Sequence, residues 1–161
     1  MTGGRRLVVL AASGAGRSGP SGSDRQLEEG EVQAFIVELA NQPGSLAAVC
    51  EALGTGGVNI GAAYGVAAGA TGSLAFLAED EAGARAILEA RGLTYREVAL
   101  VDAAIEDRPG TLAAAARRIA DAGLNVETMF ATGMDGDKAI FAFGVSDPAA
   151  ARAALGDLAA G

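Results

Sequence analysis

The sequence predicts an α+β protein made of two ferredoxin-like units in tandem, the second of which lacks its final strand. One observation is an internal repeat, because N-Q-P-G-S-L followed by G-V-N-I (41–60) returns as D-R-P-G-T-L followed by G-L-N-V (107–126). A second observation is the order of elements, which reads β-α-β-β-α-β and packs two helices on one face of a four-stranded antiparallel sheet. We therefore divide the chain into an N-terminal segment (1–30), a first unit (31–98) and a second unit (99–161).

The first unit opens with a predicted strand and helix. The strand runs from Val32 to Ala40, and alternation places Phe35, Val37 and Leu39 on one of its faces. The helix that follows Pro43 has apolar residues at i, i+3, i+4 and i+7, which predicts a buried stripe of Leu46, Val49, Cys50 and Leu53. We expect Cys50 to serve as a core residue.

A hairpin, a second helix and a fourth strand complete the first unit. The hairpin strands are predicted at 58–66 and 73–78, on either side of a glycine-rich turn. The helix begins after Asp80 and ends at Gly92, and its apolar stripe consists of Ala84, Ile87 and Leu88. Residues 93–98 form the fourth strand.

The second unit follows without a linker, because 99–106 already has the pattern of a first strand. Its first helix is predicted to bury Leu112, Ala115, Ala116 and Ile119. A hairpin strand is expected at 124–133, followed by a turn at 134–137 and a strand containing Phe141, Phe143 and Val145. The last helix is predicted to run from Asp147 to Gly161, burying Ala151, Ala154, Leu155 and Leu158.

That reading leaves no residues for a fourth strand of the second unit. Residues 99–106 would then have an unpaired apolar edge, which proteins usually cover. We expect the cover to come from the sheet of the first unit or from a second chain in a homodimer.

The N-terminal segment differs in composition from the repeats. It is dense in glycine and serine and has no apolar periodicity after Leu10, which predicts disorder. A translation start placed too far upstream would give the same composition. A signal peptide is another alternative, with Arg5 and Arg6 as its positive region. The apolar run 7–12 is, however, shorter than the roughly seven to fifteen residues of a signal core.

Composition narrows the function classes. The formal net charge of -8 disfavours nucleic acid and anionic membranes as partners, because both require a basic surface. The chain has one cysteine and no histidine, so it can form no intrachain disulfide and lacks the commonest general base and metal ligand. We expect no cofactor, no metal and a cytoplasmic location.

Both Pro-Gly turns carry groups suited to an amino acid. The start of a helix offers unpaired N–H groups and a positive dipole end to a carboxylate. Asn41 precedes the first turn and Asn59 opens the next strand, and each amide can both donate and accept. The structural alternative is that Asn41 and Asp107 cap the helices, while Asn59 and Asn125 bond to the turn backbone.

The two motifs resemble the signature of the ACT domain, a small regulatory amino-acid-binding module. The first copy is similar to the serine-sensing ACT domain of phosphoglycerate dehydrogenases. That resemblance implies that Asn41 and Asn59 contact an amino acid at a domain interface. The family has His at the position of Leu39, and an apolar residue there favours a branched or aromatic ligand instead of serine. Asp107 would disfavour a carboxylate, so we expect the first site to bind more strongly.

We thus predict a ligand site formed in the first unit by Asn41, Gln42, Pro43, Gly44, Ser45, Leu46, Val58, Asn59 and Ile60. The matching residues of the second unit are Asp107, Arg108, Gly110, Thr111, Leu112 and Asn125.

Three function classes follow. The leading hypothesis is a non-catalytic, amino-acid-binding regulator of a separate biosynthetic or catabolic enzyme. A structural assembly module without a ligand is an alternative. A small enzyme on the ferredoxin-like scaffold is another, although the shared motif contains no recurring acid-base pair.

Overall fold

The computed structural model describes residues 32–160, so the predictions for 1–30 lie outside the described residues. The first unit contains β1 (Gln33–Ala40), α1 (Ser45–Thr55), β2 (Ile60–Ala68), β3 (Thr71–Ala78) and α2 (Glu81–Ala90). The strand β4 (Tyr95–Glu106) leads into α3 (Thr111–Asp121), β5 (Val126–Asp135), β6 (Lys138–Val145), α4 (Pro148–Leu155) and a 3-10 turn (Gly156–Leu158).

The strands form one antiparallel sheet in the order β2-β3-β1-β4-β6-β5. The predicted class is confirmed: the protein is α+β, with two ferredoxin-like units in tandem. The strands expected at 93–98 and 99–106 are one continuous strand, β4, and the boundary predicted at 98/99 falls inside it. Its first half pairs with β1 over Tyr95–Ala99, and its second half pairs with β6 over Leu100–Glu106.

Three apolar clusters hold this sheet. One lies between the first unit's sheet and its helices, around Phe35, Phe76, Leu53 and Leu88, and its counterpart in the second unit surrounds Phe143, Ile119 and Leu155. The third lies on the opposite face of the sheet and joins the units through Ala34, Ala75, Leu77, Leu100, Phe130 and Ala142. The sheet therefore folds over so that its helix-free faces pack together.

The outer strands β2 and β5 meet through their side chains. The ring of Tyr64 lies 5.1 Å from that of Phe130, centroid to centroid, and the hydroxyls of Tyr64 and Thr128 share a hydrogen bond. Thr128 is almost fully buried. The first and second units are therefore also in contact through these outer strands.

The helix stripes differ from prediction at two places. On α1 the buried residues are Val49, Ala52 and Leu53, while Leu46 is 52% exposed and Cys50 is half-buried. Leu46 lies in the first helical turn, and the core below α1 begins one turn later. On α3 the core receives Ala115 and Ile119, whereas Ala116 points to solvent.

The prediction that the last helix continues to Gly161 is wrong. The helix ends at Leu155, because Gly156 takes a positive φ (58°) with a non-helical ψ (-118°), and the Arg118 guanidinium donates to the Leu155 carbonyl at 2.5 Å. The chain then returns to the sheet, where Ala159 forms a bridge with Ala103 and the Ala160 N–H donates to the Asp102 carbonyl at 2.9 Å.

This short pairing stands where a final strand of the second unit would lie. On the same edge of β4, the Leu100 N–H donates to the Val32 carbonyl at 3.0 Å. The edge predicted to be open is thus covered, in part, by both ends of the described chain. None of the helices in residues 32–160 has the length and apolar content of a membrane-spanning segment.

Candidate functional site

The first Pro-Gly turn presents an open helix start. Gly44 precedes α1 with φ 91°, a conformation that favours glycine, and no side chain caps the helix. The Ser45 N–H bonds to the Gln42 carbonyl and the Ala48 N–H to Gly44. Within residues 32–160 the N–H groups of Gly44, Leu46 and Ala47 have no acceptor, and the Ser45 hydroxyl makes no hydrogen bond. Gln42 and Pro43 are exposed beside them.

Asn41 braces this turn instead of capping the helix. Its Nδ2 donates to the Gly69 carbonyl at 2.8 Å, and its backbone N–H donates to the Ala70 carbonyl at 2.9 Å. The loop before α1 is therefore tied to the turn between β2 and β3. The Oδ1 atom of Asn41 makes no hydrogen bond to any residue of 32–160.

The structure does not bring Asn59 to the same place within the unit. Ala40 pairs with Thr71 at one end of β3, whereas Ile60 pairs with Ala78 at the other. At about 3.3 Å per residue, these ends lie roughly 23 Å apart. The separation arises because α1 runs back along the sheet before β2 begins. The expectation that Asn41 and Asn59 both flank the helix start at Gly44 is wrong for a single unit.

Asn59 has a local partner of its own. Its Nδ2 donates to Glu79 Oε1 at 2.7 Å, and the Glu79 N–H donates to its carbonyl. The neighbouring Val58 is buried in the helix-side core and Ile60 is half-buried. Of the three, Asn59 is the residue that faces solvent and remains available to a partner molecule.

At the second Pro-Gly turn the side chains are engaged in internal bonds. The N–H groups of Gly110, Leu112 and Ala113 lack an acceptor within residues 32–160, as their counterparts do at the first turn. The Thr111 hydroxyl donates to the carbonyls of Glu106 (2.7 Å) and Arg108 (2.8 Å), and Arg108 forms an ion pair with Glu106. The Asp107 N–H donates to the Asp137 carbonyl at 3.1 Å. Gly110 repeats the left-handed conformation of Gly44. Arg108 offsets the charge of Glu106, while Asp107 has no ion-pair partner within residues 32–160. The Asp107 carboxylate makes this turn a poorer place for a ligand carboxylate than the first turn.

The other two residues predicted for the second site, Leu112 and Asn125, also lie apart from each other. Leu112 packs against the core of its unit, unlike the exposed Leu46. Asn125 is exposed and precedes β5. Because Glu106 pairs with Lys138 and Val126 with Val145, Asn125 again lies at the far end of the sheet from its turn.

Two polar features were missed by sequence reasoning. Arg85 of α2 makes a two-pronged contact with Glu97 of β4, at 2.7 and 2.5 Å, which ties helix to sheet. Asp102 has a buried Oδ1 without a hydrogen-bond partner. Burial raises the pKa of the Asp102 carboxyl, and nearby Arg152 partly opposes that effect. No group of acidic or cysteine side chains in residues 32–160 is placed to hold a metal ion.

No family model and no curated protein matches this chain. Several solved structures do match its fold. The protein BT0572 from Bacteroides thetaiotaomicron superposes with a TM-score of 0.66 at 20% identity, covering 80% of this chain and 92% of that one. The ligand-free regulatory subunit of aspartate kinase from Thermus thermophilus gives 0.58 at 19% identity, with 80% and 91% covered.

A third structure, the regulatory subunit of aspartate kinase from Thermus flavus, gives a TM-score of 0.60 at 20% identity, covering 79% of this chain and 92% of that one. The chain has an ACT-like fold. At these identities the similarity concerns the fold, and activity has to be argued from the site.

Proposed function

We propose that this protein is a non-catalytic regulator that binds a free amino acid and modulates a separate metabolic enzyme. The observation that carries the proposal is the open start of α1, where three N–H groups and the Ser45 hydroxyl are unengaged and no acid lies in the turn. Such a helix start binds a carboxylate through directed donors and the helix dipole. The fold shared with regulatory subunits of aspartate kinase supports the regulatory role.

The exposed edge of β2 supplies a way to bring Asn41 and Asn59 into one site. Residues 63–68 are all exposed and none is charged, so their outer backbone groups can pair with another strand. In an antiparallel pair of two β2 strands with a two-fold axis near Tyr64, Asn59 of one copy lies opposite Gly69 of the other. The Asn41 side chain already binds that Gly69 carbonyl. The homodimer would thus complete two equivalent sites.

In this arrangement each group of the ligand has a partner. The carboxylate meets the N–H groups of Gly44, Leu46 and Ala47, and Asn59 of the second copy adds a charge-assisted hydrogen bond. The free Oδ1 of Asn41 accepts from the ammonium. Leu46 is 52% exposed beside the helix start and offers apolar contact, while Leu39 packs half-buried against the core. These surroundings favour an aliphatic or aromatic amino acid.

The first unit (31–98) is therefore the binding unit, and the second (99–161) supports it. The hydroxyl of Thr111 is engaged, unlike that of Ser45, and Asp107 repels a carboxylate. The edge strand β5 also carries Glu127 and two register irregularities, which hinder pairing with a second copy.

A thermal-shift screen of the twenty amino acids tests the function. A ligand that binds only the folded state, at about 100 times its dissociation constant, adds roughly 2.7 kcal/mol of stability. A screen in which no amino acid raises the melting temperature, together with dimerisation, would favour the assembly module without a ligand. Turnover of a bound compound would favour the enzyme.

Calorimetry on two matched variants tests the site. Asn59→Ala removes a hydrogen bond to a charged group, which weakens binding of the amino acid found in the screen by about 10- to 150-fold. Asn125→Ala, at the matching position of the second unit, leaves the affinity close to that of the parent. Equal affinity in Asn59→Ala, or loss of binding in Asn125→Ala alone, contradicts the placement. The melting temperatures of the unliganded variants control for a structural effect.

A further inference from the structure

The helix-free face of the first unit is only partly covered by the second unit. The pairing registers align the side chains of this face in rows that cross β2, β3, β1 and β4. The row nearest the second unit consists of Ala62, Leu77, Ala34 and Val98. That row packs against the second unit, and so do Tyr64, Ala75 and Ile36 of the next row. The rows beyond it, which contain Val66 and Glu38, are open. They form a depression of about 960 Å³ whose floor includes Ile36, Val66, Ala68 and Ser73.

Two side chains of opposite charge lie on this floor. Ile36 of β1 is opposite Arg96 of β4, and the Glu38 N–H donates to the Thr94 carbonyl at 2.9 Å. Glu38 and Arg96 are therefore diagonal neighbours on one face, a spacing within reach of long side chains. They nevertheless do not pair. Arg96 binds Glu127 of β5, and Glu38 has no ion-pair partner within residues 32–160.

We propose that this depression is a second binding site, for a zwitterionic amino acid with an aliphatic side chain. Glu38 accepts the ammonium group, and Arg96 binds the carboxylate at the adjacent position. The aliphatic group covers Ile36, which is half-buried, and Val66, which is 58% exposed. Glu38 and Arg96 lie on the helix-free face of the sheet, whereas α1 packs on the other face. The depression does extend to Ala40 and Ala70, next to the turn that precedes α1. Both charged contacts are exposed, so binding falls in the millimolar range.

The ligand would compete with Glu127 for Arg96. Among the described residues, Arg96–Glu127 is the one ion pair that links the first unit to the second. Occupation of the depression therefore weakens a contact between the units. The same competition predicts that removing the Glu127 charge strengthens ligand binding, because Arg96 is then free for the ligand.

Backbone amide NMR titration of the full chain with L-leucine tests the proposal. We expect saturable shifts at Ile36, Glu38, Thr94 and Arg96. Two analogues each remove one charge: 4-methylpentanoate lacks the ammonium and 3-methylbutylamine lacks the carboxylate, and both should bind about two- to five-fold more weakly at these amides.

Matched variants identify the charges involved. Arg96→Gln and Glu38→Gln each weaken leucine binding at the depression by about two- to five-fold, and Glu127→Gln strengthens it by a similar factor. Arg117→Gln and Glu51→Gln change exposed residues of α3 and α1 and leave it unaltered. All five positions are exposed, so the variants should fold.

Two results overturn the second site: no shift at the four amides up to the solubility of leucine, or shifts there that the three charge variants leave unchanged. Shifts confined to Gly44, Leu46 and Asn59 also overturn it while supporting the proposed function. Shifts at the depression with none at the start of α1 support the second site and show that leucine is not the ligand of the first.

Discussion

At the scale of the residue, Asp102 is a position where the two units differ in charge. In the first unit the matching residue of the repeat is Ile36, which is apolar and half-buried on the same face of the sheet. Asp102 brings a carboxylate into this packing, and its Oδ1 is buried without a hydrogen-bond partner. Burial raises its pKa in the folded protein above that of the unfolded chain. The charged form is therefore disfavoured by folding.

Asp102→Val should stabilise the protein at neutral pH. Removing a buried polar group that lacks a partner gains about 1–3 kcal/mol of unfolding free energy. The gain depends on pH in a defined direction. Because the folded pKa is raised, the parent has its full stability below the unfolded pKa and loses stability as the pH rises through the folded pKa. The advantage of the variant should thus be small at pH 3 and larger at pH 7.

Urea denaturation of parent and variant at the two pH values measures this difference, and Asp121→Val on the exposed face of α3 is the control. A variant less stable than the parent at pH 7, or a gain that is as large at pH 3, would show that the Asp102 carboxylate is well accommodated in the fold.

At the scale of the element, the edge strands β2 and β5 have different capacities for pairing. Residues 63–68 of β2 are exposed, uncharged and in regular register with β3. The pairing register of β5 with β6 is interrupted at Val126/Thr128 and Ala131/Gly133, and β5 contains the charged Glu127. Ala67→Lys places a charge on the β2 edge and should convert the proposed dimer to a monomer in sedimentation. Ala131→Lys, an equally exposed alanine on β5, should leave the dimer intact. A parent that sediments as a monomer contradicts the prediction.

The elements themselves were largely predictable, because each has its own periodicity and its own stop. The four helices were found from apolar spacing and their glycine or Asp neighbours. The division of β4 was misjudged because the repeat suggested a boundary at 98/99, while the alternation of side chains continues through it. The end of α4 had a signal in Gly156, whose positive φ terminates the helix.

The site was less predictable than the elements. The turn at Gly44 was predictable from the Pro-Gly motif. Its positive φ explains why a glycine stands there. The distance between Asn41 and Asn59, however, depends on which ends of β3 they reach, which only the pairing register reveals. Contacts between distant strands, such as Tyr64 with Phe130, leave no local pattern. Neither does the isolation of the Asp102 carboxylate.

At the scale of the whole molecule, the two repeats behave as one structure. The continuous strand β4 belongs to both sheets, and the core between the helix-free faces combines residues of both units. The units could not separate without exposing this core and breaking the Arg96–Glu127 ion pair. We therefore expect one cooperative unfolding transition, followed in parallel by far-ultraviolet circular dichroism and tyrosine fluorescence. Two separate transitions would show that the units are energetically independent.

The hydrogen bond between Tyr64 and Thr128 tests how strongly the units are coupled. Tyr64→Phe leaves the Thr128 hydroxyl buried without this partner, which should lower the unfolding free energy by about 1–2 kcal/mol and the melting temperature by a few degrees. Replacing both hydroxyls, in Tyr64→Phe with Thr128→Val, leaves no unsatisfied group and should cost less than the single change. The two single variants and the double variant form a mutant cycle that isolates the coupling. If the losses simply add, the two hydroxyls contribute separately and their hydrogen bond does not help to hold the units together.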